Sequence, residues 1–141
     1  MLKNPFIAFL KLIRIENLII IALTQFSIQF FVLTDFTDYS TFPASLFFIS
    51  LLSTALIAAA GYIINDYFDD EDGTDKVNKE FIAPFSGGSR LLQTGVLTRR
   101  EILAEGIVFF AFAALCLIFV SLKTSFMILA AGMTGMAFGI F

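Results

Sequence analysis

Histidine and tryptophan are absent from this chain, and cysteine occurs once. Without histidine the commonest general base and metal ligand is missing, so any metal chemistry has to use oxygen donors. A single thiol excludes a disulfide within the chain; Cys116 sits inside an apolar run and reads as a buried, inert thiol. Charge is scarce too. At 15% of residues, against 58% hydrophobic, it cannot cover the surface of a water-soluble domain of 141 residues. The formal net charge of −3 averages over a strongly patterned chain and identifies no partner. Basic stretches interleaved with aromatics are also lacking, which argues against nucleic acid. What remains is the composition of a membrane protein.

The hydrophobic residues are gathered into four runs, at about 18–34, 44–64, 102–120 and 125–141. Each is near the ~20 residues that cross a ~30 Å hydrocarbon core as a helix, the last at the short edge. The expected fold is all-α, a polytopic transmembrane helical bundle with four spans. Before the first run, Phe6, Phe9, Leu10 and Ile13 fall at helical spacing, with Lys11 and Arg14 elsewhere. That pattern predicts a short amphipathic helix in the interface. Asn17 reads as a cap for the first span. Gln25 and Gln29, four apart, share a helix face and read first as interhelical hydrogen-bonding groups. The small residues of A-L-I-A-A-A-G, residues 55–61, and Gly132, Gly135 and Gly139 suit close helix packing. No polar tail follows the fourth run, so a longer protein is expected, of which this is the N-terminal part.

The acids are as strongly grouped as the apolar residues. Residues 65–75 read N-D-Y-F-D-D-E-D-G-T-D, with Asp66, Asp69, Asp70, Glu71, Asp72 and Asp75 all within eleven positions at the end of an apolar run. Negative charge at that density beside a membrane calls for a cation. On a continuing helix, Asp66, Asp69 and Asp70 are three and four residues apart and share a face, and Asp75 returns from the following loop. Hard oxygen ligands suit Mg²⁺ or Ca²⁺. The EF-hand register fails, since aligning its glycine on Gly73 puts Phe68 at the first ligand position and Lys79 at the twelfth. A plain solvated acidic loop is the competing reading. Tyr67-Phe68 and the later G-G-S-R before another span count against it. The segment 65–101 also holds Lys76, Lys79, Arg90, Arg99 and Arg100. With Lys3, Lys11 and Arg14 this makes eight basic residues on one side of four spans, against Lys123 alone on the other. The N-terminus and the acidic segment 65–101 are therefore expected in the cytoplasm.

Asn65-Asp66-Tyr67-Phe68-Asp69 after a small-residue helix resembles the first aspartate-rich motif, N-D-x-x-D, of the UbiA superfamily of intramembrane prenyltransferases. The Gly73-Thr74-Asp75 spacing and F-S-G-G-S-R-L-L-Q-T-G-V-L-T, residues 85–98, are similar to the branch that prenylates 1,4-dihydroxy-2-naphthoate in menaquinone biosynthesis. The Lys79-Glu80 pair departs from the N-K-P of relatives. The resemblance implies about nine helices around a laterally open cavity and a second aspartate-rich motif in a later loop. Residues 1–141 would be the N-terminal part of that single domain, inactive alone. It implies Mg²⁺ held by Asn65, Asp66, Asp69 and Asp75 against a polyprenyl diphosphate, with Asp66 and Asp69 as the catalytic pair. Arg90 and, less directly, Lys76 would contact phosphate, Lys76 having a snorkelling role as its alternative. Tyr67 and Tyr62 would flank the allylic cation. Prenyl transfer to an aromatic or other lipophilic acceptor at the bilayer is the activity implied. Glycerol phosphate and a haem precursor are other acceptors of the fold. A non-catalytic membrane subunit or cation-handling protein is the contrasting class.

Overall fold

A computed structural model describes residues 4–36, 43–73 and 88–138, which form five helices and no strand among the described residues. Helix α1, Pro5–Leu12, starts with proline at its first position and with the Asn4 side chain accepting the Phe6 N–H at 2.9 Å. Both devices satisfy helix-start geometry locally. The chain breaks at Arg14, which takes a left-handed φ of 51°, and resumes as α2, Ile15–Phe36. The break corrects the cap expected at Asn17. Asn17 is the third residue of α2, and its own N–H reaches the Arg14 carbonyl at 2.9 Å.

Helix α3 runs Ala44–Asp72, 29 residues, and is the centre of the bundle. It does not stop where the apolar run stops. It carries the acidic motif two turns further and ends at Gly73, whose φ of 84° favours a residue without a Cβ. Helix α4, Arg99–Lys123, begins with a capping box in which Thr98 and Glu101 satisfy each other's backbone N–H groups. After a turn at Thr124-Ser125 the chain ends its described part as α5, Phe126–Phe138.

At 1.5 Å per residue, α2, α3 and α4 reach roughly 33, 44 and 38 Å, enough to cross a bilayer. The fourth apolar run is described only as far as residue 138. Its described helix has 13 residues, about 20 Å. Side chains such as Leu23, Phe31, Phe48, Phe112 and Leu115 are exposed on the outer faces. A bundle whose apolar side chains face outward is stable only in lipid.

Two contacts set the helix spacing. A Cβ built on Gly106 of α4 would lie 2.6 Å from Ile64 Cδ1 of α3, and one on Gly132 of α5 would run into the Leu117 side chain of α4. Glycine at those positions lets the helices touch, as membrane packing requires. The best-buried cluster gathers at the motif end: Ala8, Leu12, Leu18, Ala59, Ile63, Leu91 and Ile102. The N-terminal helix therefore does more than lie in the interface. Its Phe6 and Ile7 are exposed, while Ala8 and Leu12 close the end of the bundle beneath the acidic motif.

Candidate functional site

The acidic residues ride on the last two turns of α3, and helical geometry sends them in different directions. Asp66 points inward. It is 2% exposed, with Oδ1 accepting from Arg14 Nη2 at 2.8 Å and Oδ2 accepting the Ser89 N–H at 2.9 Å. Ser89 is itself buried, and its hydroxyl accepts the Leu91 N–H at 3.4 Å. The Arg14 guanidinium lies over the Tyr62 ring, 5.0 Å from its centroid, one turn below Asp66. A buried carboxylate is sustained by this combination of a paired cation and a second donor.

Asn65 and Asp69 form the outward part. One turn apart, they are joined by a hydrogen bond from Asn65 Nδ2 to Asp69 Oδ2 at 2.5 Å. The apolar part of α3 ends at Ile64, so Asp69 stands beyond the span. Its carboxyl is pushed above the ordinary aspartate range, first by partial burial and then by the charges of Asp66 and Asp72; Arg14 and the Asn65 hydrogen bond oppose the rise. An acid held so by neighbouring acids is favoured by any cation placed beside it.

Asp70 and Glu71 face α4. Arg99 reaches Asp70 at 3.8 Å and Glu71 at 3.3 Å, and Gln93 Nε2 donates to Asp70 at 3.3 Å. The Arg99 guanidinium also covers Tyr67, 4.7 Å from the ring centroid. Both tyrosines expected beside an allylic cation thus carry arginines on their faces. Arg90 follows Ser89 directly and takes a left-handed φ of 58°. The Ser89–Asp66 hydrogen bond brings this backbone next to the motif. Asp75 and Lys76 lie outside the described residues, as do Lys79, Glu80 and residues 85–87 at the start of the F-S-G-G-S-R run.

Among the described residues no three acids gather closely enough to hold a metal ion. The donors nevertheless fit Mg²⁺ in chemistry. Asn65 and Asp69 are hard oxygen ligands on one face, Mg²⁺ needs only one or two carboxylates, and phosphate or water fills the rest. Asp66 supplies a second carboxylate, already engaged by Arg14.

Sequence reasoning grouped Asp66, Asp69 and Asp70 on one face; the structure divides them among Arg14, Asn65 and Arg99. It also missed Arg14, Ser89, Gln93 and Arg99 as partners. In the sequence, Arg14 reads as one of eight topology-setting cations and as part of the polar side of the N-terminal stretch. Its signal was its position, a cation beside the first residue of a span.

Gln25 and Gln29 are elsewhere. Gln29 Nε2 donates to Ser50 Oγ at 2.6 Å, the interhelical bond expected of it. Both glutamines line a cavity of about 450 Å³ with Phe47, Thr54 and Gly132, between α2, α3, the end of α4 and α5. Ser50 and Asp66 are sixteen residues apart on one helix, roughly 24 Å. The cavity belongs to the opposite end of the bundle.

The model of the UbiA prenyltransferase family matches residues 21–140 of this chain, through the motif and all three long helices. The chain belongs to the UbiA prenyltransferase family. With three helices long and apolar enough to cross a membrane, it is an integral, multi-pass membrane protein. Among curated relatives of this family chain, digeranylgeranylglyceryl phosphate synthase of Sulfolobus acidocaldarius is 43% identical over 72 residues. That alignment covers 51% of this chain and 23% of the relative, so the chain spans about a quarter of the curated relative it matches. No solved structure matches. The resemblance to the UbiA family read from N-D-x-x-D holds, whereas these matches select no menaquinone branch within it.

Proposed function

We propose that the protein transfers a polyprenyl group from an allylic diphosphate to a lipophilic acceptor in a Mg²⁺-dependent reaction. This chain would supply the first half of the diphosphate site. The observation that carries the reading is the end of α3, where Asn65 and Asp69 form an open oxygen-donor pair beside the Arg14-Asp66 ion pair. In transfer, the allylic C–O bond breaks, diphosphate leaves with the electron pair, and the acceptor forms the new bond and gives up a proton or a carboxyl group. Mg²⁺ would stabilise the charge that builds on the departing diphosphate. Asn65, Asp66, Asp69 and Asp75 are the residues assigned to hold it. Arg90 and Lys76 are assigned to phosphate, where a guanidinium can bind two oxygens at once. Tyr67 offers a ring face to positive charge, worth ~0.5–2 kcal/mol. The basic-residue count supports a cytoplasmic N-terminus and a cytoplasmic site.

For the acceptor, the Gly73-Thr74-Asp75 spacing supports 1,4-dihydroxy-2-naphthoate. A second reading, an acceptor of the glyceryl phosphate type, is supported by the named product of the relative and its 43% identity. The two separate in one experiment. Full-length protein in detergent is given a polyprenyl diphosphate and each acceptor in turn, with Mg²⁺ or with chelator, and products are identified by mass. Prenylated product that appears only with Mg²⁺ is expected, and the acceptor consumed decides the branch. Transfer undiminished by chelation would end the metal-dependent mechanism.

A further inference from the structure

Asp66 is the most deeply buried charge described in the site, and its counter-charge comes from a residue 52 positions earlier. Arg14 is built into that role. Its left-handed backbone marks the break between α1 and α2, its guanidinium rests on Tyr62, and its side chain is 14% exposed. Yet it is incompletely satisfied. Nη2 holds Asp66, while Nε is buried with no hydrogen-bond acceptor. The other Asp66 oxygen takes the Ser89 N–H. One carboxylate thereby ties together the α1–α2 break, the end of α3 and the segment that carries Arg90.

A divalent cation at the same carboxylate would stand within a few ångströms of the guanidinium, and like charges at that range repel strongly where water is excluded. The unpaired Nε and the left-handed backbone mark a residue whose present position is not its best-satisfied one. We propose that Arg14 is a displaceable counter-ion for Asp66. It neutralises the carboxylate while the motif is empty of metal. It gives way when the motif is loaded, and the α1–α2 break shifts with it. Arg14 is then a positioning residue that sets both the cation affinity of the motif and the placement of the N-terminal helix. This rests on the reading that Asn65, Asp66 and Asp69 hold a divalent cation.

The test uses Mg²⁺ alone, without diphosphate, on the full-length protein in detergent. By calorimetry, Arg14→Gln binds Mg²⁺ roughly tenfold more tightly than wild type, because a repelling charge is removed; Arg14→Lys, which keeps the charge, stays within about threefold of wild type. A second measurement needs no variant. Arg14 in the wild-type protein is labelled with an arginine-directed dicarbonyl reagent, read by peptide mass, and its modification rises when Mg²⁺ saturates. An Arg14→Gln protein that binds Mg²⁺ no more tightly than wild type would overturn the proposal, as would Arg14 reactivity unchanged by saturating Mg²⁺. Wild-type protein that binds no Mg²⁺ would overturn the functional reading beneath it as well.

Discussion

The two ends of α3 are built from the same helix and solve opposite problems. At the motif end, α1, the start of α2, the 88–98 segment and the start of α4 converge on it, and every described carboxylate from Asp66 to Glu71 has a side-chain or backbone partner. At the other end, α2, α3, the end of α4 and α5 leave a cavity of about 450 Å³ whose polar groups are few and neutral. The difference is one of electrostatics. Ionised groups near a membrane are retained only with partners, so the charged end must be closed, whereas neutral amides and hydroxyls tolerate an open packing. Organisation in this chain is concentrated where the charge is.

The sharpest way to break this contrast is at Asp66. Asp66→Ala removes the partner of a buried guanidinium and should cost about 3–5 kcal/mol of stability, with transfer by the full-length protein abolished. Thermal unfolding in detergent and a prenyl-transfer assay check both. Retained transfer would remove Asp66 from the mechanism. A smaller effect is expected midway, where α3 and α4 touch. Gly106→Ala pushes a methyl group into Ile64, whose flexible end can yield, so a loss of about 1–2 kcal/mol is expected. The smallest effect belongs to the far end. Ser50→Ala removes the Gln29 hydrogen bond and should cost ~0.6 kcal/mol, leaving Mg²⁺ affinity and transfer unchanged. A Ser50→Ala protein with altered Mg²⁺ affinity would show that the two ends communicate, and would blur the distinction drawn between them.

Much of the helical layout was legible because its signals are local. Apolar runs of bilayer length, Gly73 after the acids and a four-residue spacing at Gln25 and Gln29 each act within one or two turns. The same holds for the motif, since N-D-x-x-D fixes which side chains can share a turn. The amphipathic N-terminal stretch was half legible: its helix follows from Asn4 and Pro5, but its burial through Leu12 depends on Ile63 and Ile102, distant in sequence. Of the fourth apolar run, the helix over Phe126–Phe138 follows the same local signal, and residues 139–141 lie outside the described residues.

The sequence by itself determined that this chain is helical, lives in a membrane and places a dense set of hard oxygen donors at the end of its second long helix. Those follow from composition and from periodicity within a single element. Only the tertiary structure decided what each carboxylate does there. Helical rotation of ~100° per residue points Asp66 at Arg14 and Ser89, Asp69 at Asn65, and Asp70 at Gln93 and Arg99. Except for Asn65, those partners lie more than twenty residues away, and only packing brings them close enough to divide one acidic run into a buried ion pair, an open donor pair and a brace.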